Sequence, residues 1–263
     1  LLITAIGPSP RLHLTSVTRQ NPLEPPMFCM LLRKHLTGAH ITDLRQVNFD
    51  RIVEISFECK DELDSTVHKS LITEIMGKHS NIIFINQDKT IIDSLKRITE
   101  NVSSVRQIYP GLKYVIPPGS DKLNPLKVTR ELFMNEIESV NSGIYIYNFL
   151  YKNFSGFSPF ISKEICYLTS LNESTCLGEL NETNKEDLWN VFNKIINKIK
   201  QNAFSFNIYY DENKSQYGFY CMDAEHLKDY ESKSFSSAGE LLDEYYYELD
   251  NKNKINQRKS LLP

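Results

Sequence analysis

The stretch of this chain most suggestive of chemistry is FSGFSPFISKEI, residues 154–165. A tight turn at Gly156 leads into Ser158 and Pro159, a pair suited to open a helix: serine caps, and proline tolerates the first helical position. A helix starting there directs free backbone N–H groups outward, where they can hold a phosphate oxygen, and Lys163 adds charge. Gly156 keeps the backbone approachable. The arrangement resembles a helix–hairpin–helix motif, although Ser158 occupies its second glycine position. An ordinary corner between two helices, with Gly and Pro only shaping the turn, accounts for the same residues. Acid–base neighbours such as Asp50/Arg51 and Glu74/Lys78 read, on physics alone, as surface ion pairs.

Motifs of enzymatic chemistry are absent from the sequence. There is no GxxxxGK[ST] phosphate loop, no GxGxxG, no GxSxG elbow and no HExxH. The six histidines are scattered, and the five cysteines include no CxxC. Neither a metal site nor a secreted disulfide framework is expected. No catalytic residue and no cofactor is assigned.

Composition bounds the answer further. The 263 residues carry 30 basic and 33 acidic side chains, a formal charge of −3, and 41% are hydrophobic. That suffices for real cores, and the length suits one large or two ordinary domains. A domain that grips nucleic acid by bulk charge is basic, so any RNA contact here must be local. No apolar run reaches the length of a membrane span. The opening LLITAIG lacks a basic leader and reads as a strand, and the chain starts in mid-pattern without an initiator Met, so upstream residues are expected.

The elements that must position these residues fall into four modules. Residues 1–119 read as strand-rich with one helix near the start. Strands are expected at 1–6 and 11–15 around Gly7-Pro8-Ser9-Pro10, then a helix at 27–37 stopped by Gly38. Further strands are expected at 39–47, 50–59, 71–76 and on both sides of the turn Asn86-Gln87-Asp88-Lys89. IVEISFEC alternates, with Val53, Ile55, Phe57 and Cys59 on a covered face and Glu54, Ser56 and Glu58 on a wet one. Many short antiparallel strands point to a β-sandwich. Residues 120–202 are helical, with segments at 126–139, 142–154, 158–171 and 184–200 and a polar loop at 172–183. Residues 203–236 hold a β-hairpin (204–210 with 217–222) and linker. Residues 237–263 are helix-compatible and turn very polar after Leu249, as the start of a coiled coil would. The fold class is α+β.

Six ordered segments resemble one family. LITEIMGKHSNIIFIN (71–86) is very similar to a signature of the NFACT family. LLITAIGPSPRLHLT (1–15), NFDRIVEISF (48–57), SVRQIYPGLKYVIPP (104–118), GFSPFISKEI (156–165) and ELLDEYYYELDNKNKINQR (240–258) follow the family's order. The resemblance implies an N-terminal module like that of the formamidopyrimidine-DNA glycosylases with its first strands missing, a helix–hairpin–helix module and the approach to a central coiled coil. Glycosylase activity is not implied, and the chain is expected not to be an enzyme. Family members bind large ribosomal subunits obstructed by a stalled nascent chain. They recruit tRNA, alanyl-tRNA in bacteria, for template-free C-terminal tailing. The resemblance places tRNA contacts on Asp50, Arg51, Glu74, Ile75 and Met76. Lys78, His79, Gly156, Ser158 and Lys163 are candidates for contacts to the nucleic-acid backbone. Arg11, His13, Arg97 and Arg106 are guessed, from charge, to extend the same surface. Expected partners are the large ribosomal subunit, tRNA and the stalled nascent-chain complex, in the cytoplasm. A fibronectin-binding adhesin displayed at the cell surface is the alternative.

Overall fold

The computed structural model describes residues 1–5, 9–18, 21–117, 122–247 and 249. The chain divides into two compact units, residues 1–119 and 120–263.

The first unit is built on one five-stranded antiparallel sheet in the order β3-β4-β5-β6-β7. These strands are His40–Gln46, Ile52–Lys60, Thr66–Glu74, Asn81–Asn86 and Ile91–Ser94. A short ribbon of β1 (Leu2–Thr4) and β2 (Arg11–His13) forms a separate two-stranded sheet. Register explains the layering. Ile55, Leu71 and Phe84 are cross-strand partners on one face. There Leu71 and Phe84 pack with Ala5 of the ribbon end and with Phe28, Leu31 and Leu32 of helix α1 (Met27–Leu36). That helix ends before Gly38, whose φ of +77° is cheap only for glycine. The second layer is thus a helix and a two-stranded ribbon, which corrects the expectation of a sandwich of two full sheets.

The other face is not wet at its centre. Ile52, Ile72, Ile83, Ile85 and Ile91 form a second buried cluster with Ile108, covered also by Ile98 and Tyr114. The covering segment, 98–114, has little regular structure, but its backbone is tied to the sheet. Ile91 exchanges N–H···O bonds with the 111–112 backbone, and the Tyr114 N–H donates to the Lys89 carbonyl. Hydrophobic burial on both faces overrides the polar alternation of Glu54, Ser56 and Glu58.

In the second unit, helices α2 (Arg130–Ser139), α3 (Ile146–Asn153), α4 (Pro159–Leu168) and α5 (Glu182–Lys200) enclose an aromatic core. Phe133, Phe149, Phe154, Phe157 and Phe192 meet there with ring centroids 4.8–6.0 Å apart. The long α5 starts at a reciprocal cap, in which Asn181 and Asn184 side chains each accept the other's backbone N–H. Its Leu188, Phe192, Ile195 and Ile196 make the buried stripe. A three-stranded sheet follows in the order β10-β8-β9, from Glu231–Phe235, Phe206–Tyr210 and Gln216–Tyr220. Strand β10 falls where a linker was expected. Residues 238–247 are helical, with Leu241 buried and Tyr245 against Phe219. The rest of the expected coiled-coil segment, save residue 249, lies outside the described residues.

Candidate functional site

The end of the five-stranded sheet gathers most of the residues singled out in the first unit. Strand β4 enters after a five-residue loop, 47–51, in which Asn48 and Phe49 both take positive φ, +52° and +57°. The loop is held by its own backbone: Val47 N–H donates to Ile52 O, and Asp50 N–H donates to Val47 O. The Gln46 side chain donates to the Asp50 carbonyl at 2.7 Å. Asp50 does not pair with the Arg51 guanidinium; its Oδ1 accepts the Arg51 backbone N–H at 2.7 Å. Asp50 therefore shapes the turn, and the Arg51 side chain is left exposed.

The neighbouring strand brings the second group alongside. Ile52 pairs with Glu74, and the Ile75 N–H donates to the Arg51 carbonyl at 2.8 Å. Ile75 and Met76 are half-buried, and Met76 packs against the Ile52–Ile72 cluster. The chain then turns at Gly77, φ +56°, into a short 3-10 turn, Gly77–His79. Lys78 and His79 are exposed on it. Ser80 lies buried beneath, and its hydroxyl accepts the Met76 N–H at 2.7 Å. The Lys96 ammonium donates to both the Ser80 and the Ala5 carbonyls, at 2.8 and 2.9 Å. Asp50, Arg51, Ile75, Met76, Lys78 and His79 thus share one end of one sheet.

Glu74 is different. It is 1% exposed, and its carboxylate is bound by Arg106 through two N–H donors at 2.6 and 2.9 Å and by the Tyr114 hydroxyl at 2.9 Å. Nε of Arg106 also donates to the Val115 carbonyl, and its guanidinium lies 5.2 Å from the Tyr114 ring. Burial, then the adjoining Glu74 carboxylate, push the Tyr114 phenol above its ordinary range. The structure corrects two expectations here: Glu74 is not presented to solvent, and its partner is Arg106 rather than Lys78. Arg11 and His13 are buried, and Arg97 is paired with Asp93, so the wider positive surface guessed from charge does not form. Tyr114 was missed. Its link to Glu74 spans 40 residues, and no local pattern announces it.

A cleft of about 370 Å³ opens beside this site, lined by residues including Val47, Glu54, Ile72 and Tyr114. Its size is at the lower end of the roughly 300–1,000 Å³ of small-molecule clefts.

In the second unit, Gly156 (φ +74°) makes the turn between α3 and α4, with Phe154 and Phe157 buried on either side. Ser158 occupies the cap position with extended backbone, but its side chain makes no capping bond. Its carbonyl instead accepts the Ser162 N–H and hydroxyl at 3.1 and 3.0 Å. Lys163 is half-buried, 3.7 Å from Glu173. Helix α4 is tied from behind. Glu164, 3% exposed, accepts the Glu225 and His226 N–H groups and lies 2.6 Å from His226 Nδ1. Burial alone would raise the Glu164 pKa, but the hydrogen bonds from His226 and Glu225 outweigh it and hold the carboxyl below its ordinary value. Among the described residues no cluster of metal-ligating side chains occurs, and no helix is long and apolar enough to cross a membrane.

Antiparallel sheets with helices in two compact units define a mixed α/β protein, and solved structures share that fold. The crystal structure of the fibrinogen binding protein from Staphylococcus aureus superposes with a TM-score of 0.76 at 28% identity, over 93% of this chain and 81% of that one. The N-terminal part of the fibronectin/fibrinogen-binding protein from Streptococcus suis gives 0.69 at 28%, over 91% and 79%. The model of the family described as NFACT N-terminal and middle domains matches residues 1–263, and the chain belongs to that family. Rqc2 homolog RqcH of Bacillus subtilis is 33% identical over 98% of this chain and 43% of its own length. The archaeal Rqc2 homolog aRqcH of Methanocaldococcus jannaschii is 31% identical over 98% and 37%. The chain therefore spans less than half the length of these relatives.

Proposed function

We propose that this chain is the RNA-facing part of a ribosome quality-control factor. In this reading the factor binds obstructed large ribosomal subunits and recruits tRNA, so that the ribosome extends the stalled nascent chain without a template. The protein supplies positioning and no bond-making chemistry of its own. The observation that carries the reading is Arg51. Its guanidinium is exposed on a loop whose backbone is fixed by five hydrogen bonds, with the Lys78-His79 turn on the adjoining strand end. An arginine held this way offers planar donors to a phosphate or a base edge at little ordering cost. Half-buried Met76 and Ile75 give an apolar contact beside it. Similarity to Rqc2 homologues over nearly the whole chain supports the ribosomal setting. A net charge of −3 fits a local grip, with the remaining affinity coming from other parts of a longer protein. At the α3–α4 turn, the N–H groups opening α4 are a secondary backbone contact in this reading, weakened by the Lys163–Glu173 pair.

The test is co-sedimentation of the full-length protein with free large ribosomal subunits, with tRNA measured in the same fractions. Wild type is expected to carry tRNA. Arg51→Ala is expected to lose roughly tenfold in tRNA affinity, about the value of one good charged contact, and to lower the salt slope by about 1. If Arg51→Ala retains tRNA in full, the site is wrong; if wild type never enriches with large subunits, the function is wrong. Salt-resistant capture by immobilised fibronectin, in place of ribosome binding, is the outcome that would favour a matrix-binding role.

A further inference from the structure

We infer that Glu74 is a positioning residue, which acts on RNA only through Arg106 and Tyr114. The inference deepens the tRNA reading above and rests on it. A carboxylate that is 1% exposed and accepts three hydrogen bonds has no free face to offer a ligand. What it does have is reach across the chain. Arg106 and Tyr114 lie on the irregular segment that covers one face of the sheet, and its ties to β7 and the turn before it, at residues 88–91, leave Arg106 and Tyr114 as its link to the end of β5. Through Arg106, Glu74 also fixes the Val115 carbonyl. One buried carboxylate thus fastens residues 106–115 to the last residue of β5.

The consequence lies on the far side of that fastening. Ile52, the partner of Glu74 across the strands, accepts through its carbonyl the N–H of Val47, which opens the loop bearing Arg51. Val47, Met76 and Tyr114 all pack on the same buried cluster. Holding Tyr114 down therefore holds the floor beneath both Arg51 and Met76. With the fastening cut, the charged groups of the site remain, but the platform must be ordered again each time RNA binds. Affinity then falls while the number of phosphates neutralised stays the same. A guanidinium that touched a phosphate itself would behave otherwise, because its loss changes the count of ions released.

The experiment is a double-mutant cycle read by tRNA binding across a salt series, using full-length protein and alanine tRNA as the probe. Glu74→Gln and Arg106→Gln are each expected to weaken binding about tenfold, and the double variant no further than the weaker single, as for two groups acting as one. The salt slope is expected to match wild type in all three, whereas Arg51→Ala lowers it by about 1. Tyr114→Phe, which keeps the ring and removes one bond to the carboxylate, guards against a folding failure and is expected to lose about twofold. Amide exchange is expected to quicken at 47–51 and 106–116 and not in α1 or β6. Losses that multiply in the double variant would overturn the inference, since they mean independent contacts. So would a flattened slope in Arg106→Gln, or full affinity in all three variants. Failure of Arg51→Ala to change binding, with wild type bound, would overturn the tRNA site and this inference together.

Discussion

Glu74 and Glu164 are the same residue in nearly the same degree of burial, 1% and 3% exposed, yet they do different work. Glu74 is held by side chains alone, a guanidinium and a phenol from a segment 32 to 40 residues downstream. Glu164 is held mainly by backbone, the N–H groups of residues 225 and 226, with the His226 ring as a third partner. The first arrangement fastens an irregular segment by means of a partner that is a cation at any working pH. The second caps a short 3-10 turn, as an anion caps the positive end of a helix, and ties it to α4. A carboxylate with a fixed cation is sensitive to mutation. A carboxylate held by backbone and an imidazole is sensitive to protons.

The largest effect is expected from removing the fixed cation. Arg106→Met leaves the Glu74 carboxylate buried without its counter-charge, a change that costs about 3–5 kcal/mol when one partner of a buried pair is lost. Urea unfolding of the first unit should register it. Replacing both residues, as Glu74→Leu with Arg106→Met, is expected to recover most of that loss, because two apolar groups leave nothing unpaired. If the single change costs under about 1 kcal/mol, water reaches Glu74 and the comparison fails.

A smaller effect is expected in the second unit, where it can be read separately because the single tryptophan, Trp189, packs on Phe133 and Phe192 there. The folded Glu164 carboxyl titrates below its ordinary 4.5. Its contribution is therefore complete above about pH 4.5 and is lost as pH falls through the depressed folded value. Glu164→Gln should remove about 1.5–3 kcal/mol at neutral pH, the worth of hydrogen bonds to a charged acceptor, and flatten the acid limb of stability followed by Trp189 fluorescence. An unchanged acid limb in the variant would mean that other carboxylates set the pH dependence.

How much of this was legible in the sequence follows from the range of the interactions. Helices α3, α4 and α5 were legible from their own residues, because a stripe such as Leu188, Phe192, Ile195 and Ile196 is a local pattern. The neighbourhood of Asp50-Arg51 and Ile75-Met76 came from family resemblance, and strand pairing places the two groups side by side. Three things were not legible. Half of β5, Thr66–Ser70, is polar and reads as loop until its partners are known. The covering segment 98–114 has no period, so a face with Glu54 and Ser56 looked wet. The Glu74–Arg106 link joins residues 32 apart, and among 30 basic side chains nothing in the order of residues selects that one.

The smallest effect isolates geometry from contact at the same sheet end. Gly77 turns the chain from Met76 into the Lys78-His79 turn with φ +56°, and a Cβ added there would meet nothing within 4 Å. Gly77→Ala therefore removes no contact and creates no clash. Its whole cost is that of a left-handed backbone for an L-residue, about 1 kcal/mol, partly offset by the reduced freedom of the unfolded chain. Urea unfolding of the first unit measures that cost, and the Glu74–Arg106 fastening should stay intact in amide exchange. A loss of 3 kcal/mol or more, on the order of the buried pair itself, would mean that the turn and the fastening form one cooperative piece. Glu74 would then no longer act as an anchor separate from the exposed turn above it.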